Sequence, residues 1–345
     1  MESTRVYIPQ TQLWLGHLID EGNFGVVYAV EGSELDDRLV CKVLKWGKKA
    51  SVSSALATFR LQLLKRAHSA VDEAACEAGF RNELDILQEV GSAAADARSE
   101  ATRHFCRLIH WGVLESQPFV VIDRFDVALD DLLRVEGRMR LPTVLDYGTQ
   151  ILDALEWLHG HGWLHLDCKP NNFGLATKGG GGRWSTNSAG RATVVLIDFG
   201  RARRICPKTN REHTSESRRP YHGPLWHGSI NGHFGKALGP QDDLISWLYL
   251  LAELFHGALP WSHLLDPAIV GTLKWVTPRS VVFEGMPSGI EAMHAHLESI
   301  VDDALPDYGL LREKLEEADR SLTAEKDELA LTSCPTAPHR HRQLM

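Results

Sequence analysis

The chain has 345 residues, of which 43% are hydrophobic and 24% are charged, so it can build one large domain or two smaller ones. Its formal net charge of -8 argues against nucleic-acid binding through overall positive charge, because neutralising phosphates requires an excess of lysine and arginine. The six cysteines include no CxxC pair, which argues against a zinc ribbon and indicates reduced thiols.

No segment of the sequence has the pattern of a secretion signal or a membrane span. The first residues lack the basic-then-apolar order of a signal peptide. The most apolar stretch, Ile245 to Phe255, is too short to cross a bilayer. We therefore expect a protein of the cytoplasm or the nucleus, with no membrane partner.

The order of apolar patterns predicts an α+β protein. Between Val6 and Leu44, β-branched and aromatic runs broken by Gly, Asn and Asp predict antiparallel strands. From Ser51 to Val90 the spacing is helical, and a strand pair follows, centred on Leu108 and on residues 119–123. After Leu129 most of the chain has helical spacing. The helical runs before residue 90 contain Leu56, Phe59 and Leu63, and then Phe80, Leu84 and Leu87.

Two segments differ from this body. Residues 178–191, KGGGGRWSTNSAGR, are rich in Gly and Ser and predict a flexible surface loop between two strands. The tail after Ala318 is polar and its terminal residues are expected to be disordered. A helical seam near the end is indicated by Leu311, Leu315, Leu322 and Leu329.

Three polar residues lie close together in the segment WLHLDCKPNNF at 163–173, namely Asp167, Lys169 and Asn172. Phosphoryl transfer requires this set: a carboxylate that accepts the proton of the attacking hydroxyl, a cation for the γ-phosphate, and an amide oxygen for magnesium. Farther along, VVLIDFG predicts a strand that ends in Asp198, a carboxylate suited to a metal that bridges the phosphates.

A glycine-bearing hairpin precedes these motifs. LIDEGNFGVVYAV at 18–30 places Gly22 and Gly25 in a strand-turn-strand, where absent side chains let backbone amides approach phosphates. The next strand, LVCKVL, carries Lys42 for the α- and β-phosphates. Glu83 is the best helical carboxylate to pair with it, with Glu73 and Glu77 as substitutes, and the long interval indicates an insertion around residues 50–70.

In this order the motifs resemble those of the protein kinase family, from about Leu18 to Leu315. GSINGH at 228–233 stands where most kinases have Ala-Pro-Glu. Together with DDLISWLYLLAELFHGALPW at 242–261 and LPDYGLLREKL at 305–315, it resembles the casein kinase 1 group. LISWLYLLAEL is most similar to the tau-tubulin kinase branch.

The resemblance implies a bilobal protein kinase fold, with a small antiparallel sheet and one main helix in the N-lobe and a larger, mostly helical C-lobe. The expected N-lobe is 1–122, the hinge 123–127, the C-lobe 128–318, and the partly disordered tail 319–345. It also implies a serine/threonine kinase that transfers the γ-phosphate of ATP, with Mg2+, to a protein substrate. Nothing in the family pattern adds a nucleic-acid partner.

The resemblance further assigns roles to individual residues. Asp167, Lys169 and Asn172 are the expected catalytic residues, and Asn172 and Asp198 the expected magnesium ligands. Asp243 on a buried helix is expected to anchor the catalytic loop, and Ile122 to Phe125 to form the gatekeeper and hinge. The expected nucleotide-binding residues are Ile19, Gly22, Gly25, Val27, Lys42, Glu83, Ile122, Asp123, Phe125 and Asp198.

Five positions differ from the usual kinase pattern. Asp20 replaces a glycine near the phosphates, and Leu166 replaces an arginine that commonly receives an activation-loop phosphate, so activity independent of such phosphorylation is expected. Gly174 offers less contact area beneath the adenine. Pro224 replaces a threonine that bonds the catalytic Asp and Lys, and Trp226 replaces an arginine used to read phosphorylated substrates.

These departures leave alternatives open. A pseudokinase that binds nucleotide or acts as a scaffold is the second hypothesis, and a helical interaction protein with a chance motif match is the third. Residues 201–219 hold seven basic residues against two glutamates, which predicts an acidic or phosphorylated substrate or else an ordinary solvated loop. The basic residues are Arg201, Arg203, Arg204, Lys208, Arg211, Arg218 and Arg219.

Overall fold

The computed structural model describes residues 6–21, 25–32, 38–44, 73–95, 100–115, 117–176, 192–212, 223–300 and 304–332. The helical run predicted around Leu56, the loop predicted at 178–191, Gly22 and the end of the tail lie outside these residues. Within them the predicted α+β architecture is confirmed: an antiparallel sheet with one helix, followed by a larger helical region.

The first part of the chain forms an antiparallel sheet whose described strands lie in the order β1-β2-β3-β4-β6-β5. The strands are β1 (Val6–Tyr7), β2 (Trp14–Glu21), β3 (Gly25–Glu31), β4 (Leu39–Leu44), β5 (Leu108–Leu114) and β6 (Gln117–Asp123). The alternation of apolar residues gives the sheet two buried faces. One face forms a core around Cys41, Val43, Phe119 and Val121.

Helix α1 (Glu73–Ala95) covers the other face of the sheet. Phe80 packs there against Leu44 and Val120, and Leu84 lies at the edge of the same cluster. The apolar residues whose spacing predicted a helix in this region therefore form its contact with the sheet. This packing fixes α1 beside β4, the strand that carries Lys42.

The larger region is built around α5 (Pro240–His256), which is apolar on nearly all sides and buried along most of its length. The other described helices are α2 (Leu129–Glu136), α3 (Leu141–Gly160), α4 (Ile230–His233), α6 (Pro267–Val276), α7 (Arg279–Val282), α8 (Ser288–Ser299) and α9 (Tyr308–Thr332). Gly148 lets α3 approach α5 closely, because a Cβ there would be 3.0 Å from Leu251 Cδ1. Trp247 Nε1 donates to the Gly148 carbonyl at 3.1 Å.

Short strands line the junction between the sheet and the helices. β7 (Val127–Ala128), β9 (Phe173–Ala176) and β10 (Thr193–Leu196) form one small antiparallel sheet. β8 (Trp163–Leu164), β11 (Arg203–Cys206) and β12 (Arg211–Glu212) form another. Residues 124–126 link β6 to β7, so the predicted hinge connects the large sheet to the helical region.

Helix α9 changes the description of the chain's end. Arg312 donates to Asp153 and to Glu156 at 2.7 Å each, which ties α9 to α3. The helix continues to Thr332, past residue 318 where the C-lobe was predicted to end, and Leu311, Leu315 and Ala318 pack into the main core. In the part of the chain that the structure covers, no helix has the length and apolar character needed to cross a bilayer.

A buried histidine sits where a short 3-10 helix, Glu100–His104, meets β10. His104 Nδ1 lies 2.8 Å from the Val194 carbonyl, and Arg103 Nε donates to His104 Nε2 at 3.1 Å. The ring must therefore donate from Nδ1 and accept at Nε2, which is the neutral form. Burial, aided by Arg103, lowers the pKa of His104 to about 4.

We predict that this histidine makes the protein less stable in mild acid. The unfolded ring binds a proton below about pH 6.5 whereas the folded ring does so only near pH 4, so the free energy of unfolding falls as pH drops through this window. The expected contribution is about 2 kcal/mol between pH 7 and pH 5. Urea denaturation should show a flatter pH dependence for His104→Asn and an unchanged one for His263→Asn, whose side chain is exposed. Parallel curves for wild type and His104→Asn would contradict this.

Candidate active site

Lys42 joins two carboxylates that come from opposite sides of the junction. Its Nζ donates to Glu83 Oε1 at 2.8 Å and Oε2 at 2.9 Å, and to Asp198 Oδ1 at 2.9 Å. Lys42 lies on β4, Glu83 on α1, and Asp198 just after β10. The structure thus brings together the predicted Lys42 and Glu83, although 41 positions separate them in the chain.

With both carboxylates ionised, Lys42, Glu83 and Asp198 carry one net negative charge, although burial raises the pKa of Glu83 above its ordinary value. Although burial opposes its charge, the Asp198 and Glu83 carboxylates raise the pKa of Lys42 above its ordinary value. Burial likewise opposes ionisation of Asp198, but Lys42 outweighs it and lowers the pKa of Asp198 to about 2. Asp198 is therefore a carboxylate at neutral pH, and the excess negative charge favours a cation beside it.

The predicted catalytic trio lies on one loop and is linked by hydrogen bonds. Asp167 Oδ2 accepts from Lys169 Nζ at 2.7 Å and from Asn172 Nδ2 at 2.8 Å. Asn172 Nδ2 also donates to the Asp167 carbonyl at 2.7 Å. Both bonds of Asn172 use its amide nitrogen, so neither occupies the amide oxygen.

The second carboxylate oxygen of Asp167 is different. Asp167 Oδ1 is buried and has no hydrogen-bond partner within the described part of the chain. A buried oxygen without a donor is costly, so this oxygen is an acceptor whose donor the described residues do not supply. Pro224, which stands where kinases usually have a threonine, has no side-chain hydroxyl.

The loop is held in a strained shape by a buried carboxylate on α5. Asp243 Oδ2 accepts from the backbone N–H of His165 at 2.7 Å, and Oδ1 from that of Leu166 at 2.8 Å. Leu166 has a φ of 60°, a left-handed conformation that is rare for leucine. The structure therefore places Asp243 where the sequence predicted an anchor for the catalytic loop.

Two residues that the sequence did not single out extend this anchor toward α9. His159 Nε2 lies 3.0 Å from Asp243 Oδ2, and His159 Nδ1 lies 2.6 Å from the Tyr308 hydroxyl. These contacts connect Tyr308 on α9, through His159 on α3 and Asp243 on α5, to the catalytic loop. No local signal could have found it, since 149 positions separate His159 from Tyr308.

Asp198 also sits on strained backbone, with a φ of 62°. It follows β10, and the Ile197 N–H just before it donates to the Asn172 carbonyl at 3.0 Å. Phe199 just after it is buried against Phe105 and His165. These contacts hold the strand end next to the catalytic loop, so the two predicted magnesium ligands lie on adjoining segments.

The remaining predicted nucleotide-binding residues line the sheet and the hinge. Ile19 is on β2 and Val27 on β3, where Val27 is the register partner of Lys42. Gly25 begins β3, and a Cβ there would lie 2.9 Å from the Val43 carbonyl. Ile122 packs against Cys106 and Val195. Gly22 lies outside the described residues.

Asp123 and Phe125 have structural partners of their own. Arg107 donates to both carboxylate oxygens of Asp123, from Nη2 at 2.8 Å and from Nε at 2.9 Å, and the Asp123 N–H donates to the Arg107 carbonyl at 3.3 Å. The ring of Phe125 lies on Gly174, where a Cβ would be 2.5 Å from its atoms. The Phe125 ring thus fills the space that a side chain at Gly174 would occupy.

The donor set fits a magnesium ion that is completed by a substrate. Outside the stretches that the structure omits, no cluster of three or more His, Cys, Asp or Glu side chains could hold a metal alone. Asn172 and Asp198 offer two oxygen donors, and Mg2+ in proteins typically takes one or two carboxylates together with phosphate oxygens and water. An all-protein metal centre does not fit this site, whereas a metal shared with a phosphate ligand does.

Comparisons with known proteins agree on one family. A family model described as the protein kinase domain matches residues 15–274. A probable serine/threonine-protein kinase of Dictyostelium discoideum is 30% identical over 221 residues, which are 64% of this chain and 43% of that protein. The chain therefore spans less than half the length of that relative. The structure of vaccinia related kinase 3 has a TM-score of 0.61 with 18% identity and covers 90% of this chain and 88% of that chain.

We predict that Lys42→Met destabilises the protein by roughly 3 kcal/mol, because it leaves the buried Glu83 carboxylate and the partly buried Asp198 carboxylate without their cation. Adding Glu83→Gln should recover part of this loss, since a neutral amide needs no counter-charge. Urea denaturation gives the free energies, and Lys236→Met, on an exposed lysine, is the control. Equal stability of wild type and Lys42→Met would show that the ion pairs contribute nothing.

Proposed function

The chain belongs to the protein kinase family, and we propose that it is an active serine/threonine kinase. The predicted bilobal kinase fold is confirmed. The serine/threonine class is supported by the Dictyostelium relative and by Lys169, which lies two positions beyond Asp167. One observation favours an active kinase over a scaffold protein. Asp167 Oδ1 is a buried acceptor without a donor in the described chain.

In the proposed reaction, Asp167 receives the serine or threonine hydroxyl at Oδ1 and accepts its proton. The hydroxyl oxygen forms a bond to the γ-phosphorus as the bond from that phosphorus to the β,γ-bridging oxygen breaks. Lys169, at 2.7 Å from Asp167, is positioned to neutralise the γ-phosphate. Bound Mg-ATP would supply the phosphoryl group and the divalent charge, with Asn172 and Asp198 as the ligands and Lys42 for the α- and β-phosphates.

We further propose that the chain is related to the casein kinase 1 group, closest in pattern to the tau-tubulin branch. Support comes from the hydrogen bonds made by the segment GSINGH, residues 228–233. Asp242 Oδ1 accepts from Ser229 Oγ at 2.6 Å and from Asn231 Nδ2 at 3.0 Å, so this motif is tied to the start of α5. A cytoplasmic or nuclear location is likewise a proposal, made on sequence composition alone.

We propose an acidic or phosphorylated protein substrate, with Arg201 as the main contact. Arg201 Nε lies 4.0 Å from Asp167 Oδ2, which places its guanidinium next to the acceptor position. Arg204, by contrast, donates to Glu89 at 2.6 Å and lies over the Trp163 ring. Trp226 donates to the Leu264 carbonyl and serves packing. The basic strip predicted from the sequence therefore has a structural role at Arg204, and Arg201 is the residue that we place beside the acceptor; Arg218 and Arg219 lie outside the described residues.

A transfer assay with radioactive ATP and casein tests the proposed activity. Wild type should label casein, and Asp198→Ala and Asp167→Asn should each lower the rate by orders of magnitude, because one removes a metal ligand and the other the proton acceptor. His263→Asn, on an exposed side chain, should match wild type. Wild type that labels nothing and shows no thermal shift with Mg-ATP would favour the scaffold hypothesis.

A peptide pair tests the substrate class. Peptides that carry glutamates beside the serine should give higher kcat/KM than alanine-flanked ones, because Arg201 attracts negative charge. Arg201→Gln should reduce that ratio, and Arg320→Gln, on an exposed arginine of α9, should preserve it. If the ratio is the same in all three proteins, Arg201 does not read acidic residues.

A further inference from the structure

Gly79 lies on the face of α1 that touches the segment after Asp198. A Cβ built on Gly79 would lie 2.5 Å from the Gly200 carbonyl oxygen and 3.4 Å from Gly200 Cα, and real Cβ atoms do not approach closer than 3.0 Å. The obstacle is backbone, which cannot rotate away as a side chain can. Because Gly79 has no side chain, α1 can lie this close to the backbone of Gly200.

A second contact on the same face confirms how close α1 comes. Asn82 Nδ2 donates to the Ala202 carbonyl at 2.8 Å. Gly79, Asn82 and Glu83 are spaced i, i+3 and i+4, so they lie on one side of the helix. Glu83 is the carboxylate that Lys42 holds, one turn beyond Gly79.

Neither helix propensity nor backbone conformation explains a glycine here. Glycine inside a helix costs about 1 kcal/mol relative to alanine. Gly79 is also absent from the glycines with positive φ, so it needs no special backbone freedom. Close approach to Gly200 is the remaining physical reason for the residue.

We propose that Gly79 is a positioning residue that sets the distance between α1 and the Asp198 segment, and thereby keeps Lys42 bonded to both carboxylates. The Lys42 bonds are all 2.8 to 2.9 Å, near the optimum, so a displacement of α1 away from Gly200 lengthens those to Glu83. An effect of Gly79 on phosphoryl transfer rests on the function proposed above, whereas an effect on the ion pair between Lys42 and Glu83 does not.

The chain offers a matched control on the same helix. Gly91 also lies within α1, and a Cβ built there meets nothing within 4 Å. Gly79→Ala and Gly91→Ala make the same chemical change and give the same gain in helix propensity. Their difference isolates the contact with Gly200.

The primary test measures the coupling between Lys42 and Glu83 by a double-mutant cycle, with Lys42→Met, Glu83→Gln and urea denaturation in three backgrounds. We expect the coupling in wild type and in Gly91→Ala to be equal, and in Gly79→Ala to fall by about half or more. Undiminished coupling in Gly79→Ala would overturn the proposal. This result does not depend on whether the protein transfers phosphate.

The second readout is catalysis. In the casein assay Gly79→Ala should lower kcat by about tenfold to a hundredfold while Gly91→Ala leaves it unchanged, because small misplacements of catalytic groups are costly. Wild-type kcat in Gly79→Ala would count against the proposal. An inactive wild type with the expected loss of coupling would reject the proposed function and leave the positioning role standing.

A further variant covers the case in which Gly79→Ala does not fold. Asn82→Ala removes the bond to the Ala202 carbonyl without adding an atom that could clash. It should weaken the Lys42 to Glu83 coupling and lower kcat, although less than Gly79→Ala. Coupling and kcat equal to wild type in Asn82→Ala would then overturn the proposal.

Discussion

One ammonium group, that of Lys42, connects the sheet, its helix and the helical region. It holds Glu83 from α1 and Asp198 from the segment after β10, at distances of 2.8 to 2.9 Å. Without this cation, the buried carboxylate of Glu83 and the partly buried one of Asp198 would repel each other and resist ionisation. The arrangement of α1 over the sheet, and of the sheet over the helical region, must therefore satisfy this contact.

The second constraint is the backbone conformation of the catalytic loop, which hydrogen bonds to α5 fix. Asp243 accepts from two consecutive N–H groups and holds Leu166 in a left-handed conformation. Strain of this kind persists only where the surroundings over-determine it. Here the surroundings are α5, which is buried along most of its length, and His159, which links Asp243 to Tyr308 on the last helix.

Two departures from the family pattern take on physical meaning in the structure. Gly174 and Phe125 are complementary, since the aromatic ring occupies the space that a side chain at Gly174 would need. Pro224 supplies no hydroxyl, and one oxygen of Asp167 is left without a donor in the described chain. The Phe125 ring thus explains why no side chain fits at Gly174, and Asp167 keeps one acceptor that the described residues do not use.

Local patterns in the sequence determined the strands, the main helices and the identity of the charged motifs, because each depends on residues a few positions apart. They could not determine how α9 docks, since its contact with α3 through Arg312 joins residues far apart in the chain. Nor could they reveal the contact of Gly79 with Gly200 or the link from Tyr308 to His159. Those juxtapositions join residues more than 100 positions apart, and only the tertiary structure, which fixes how helices and loops approach one another, decided them.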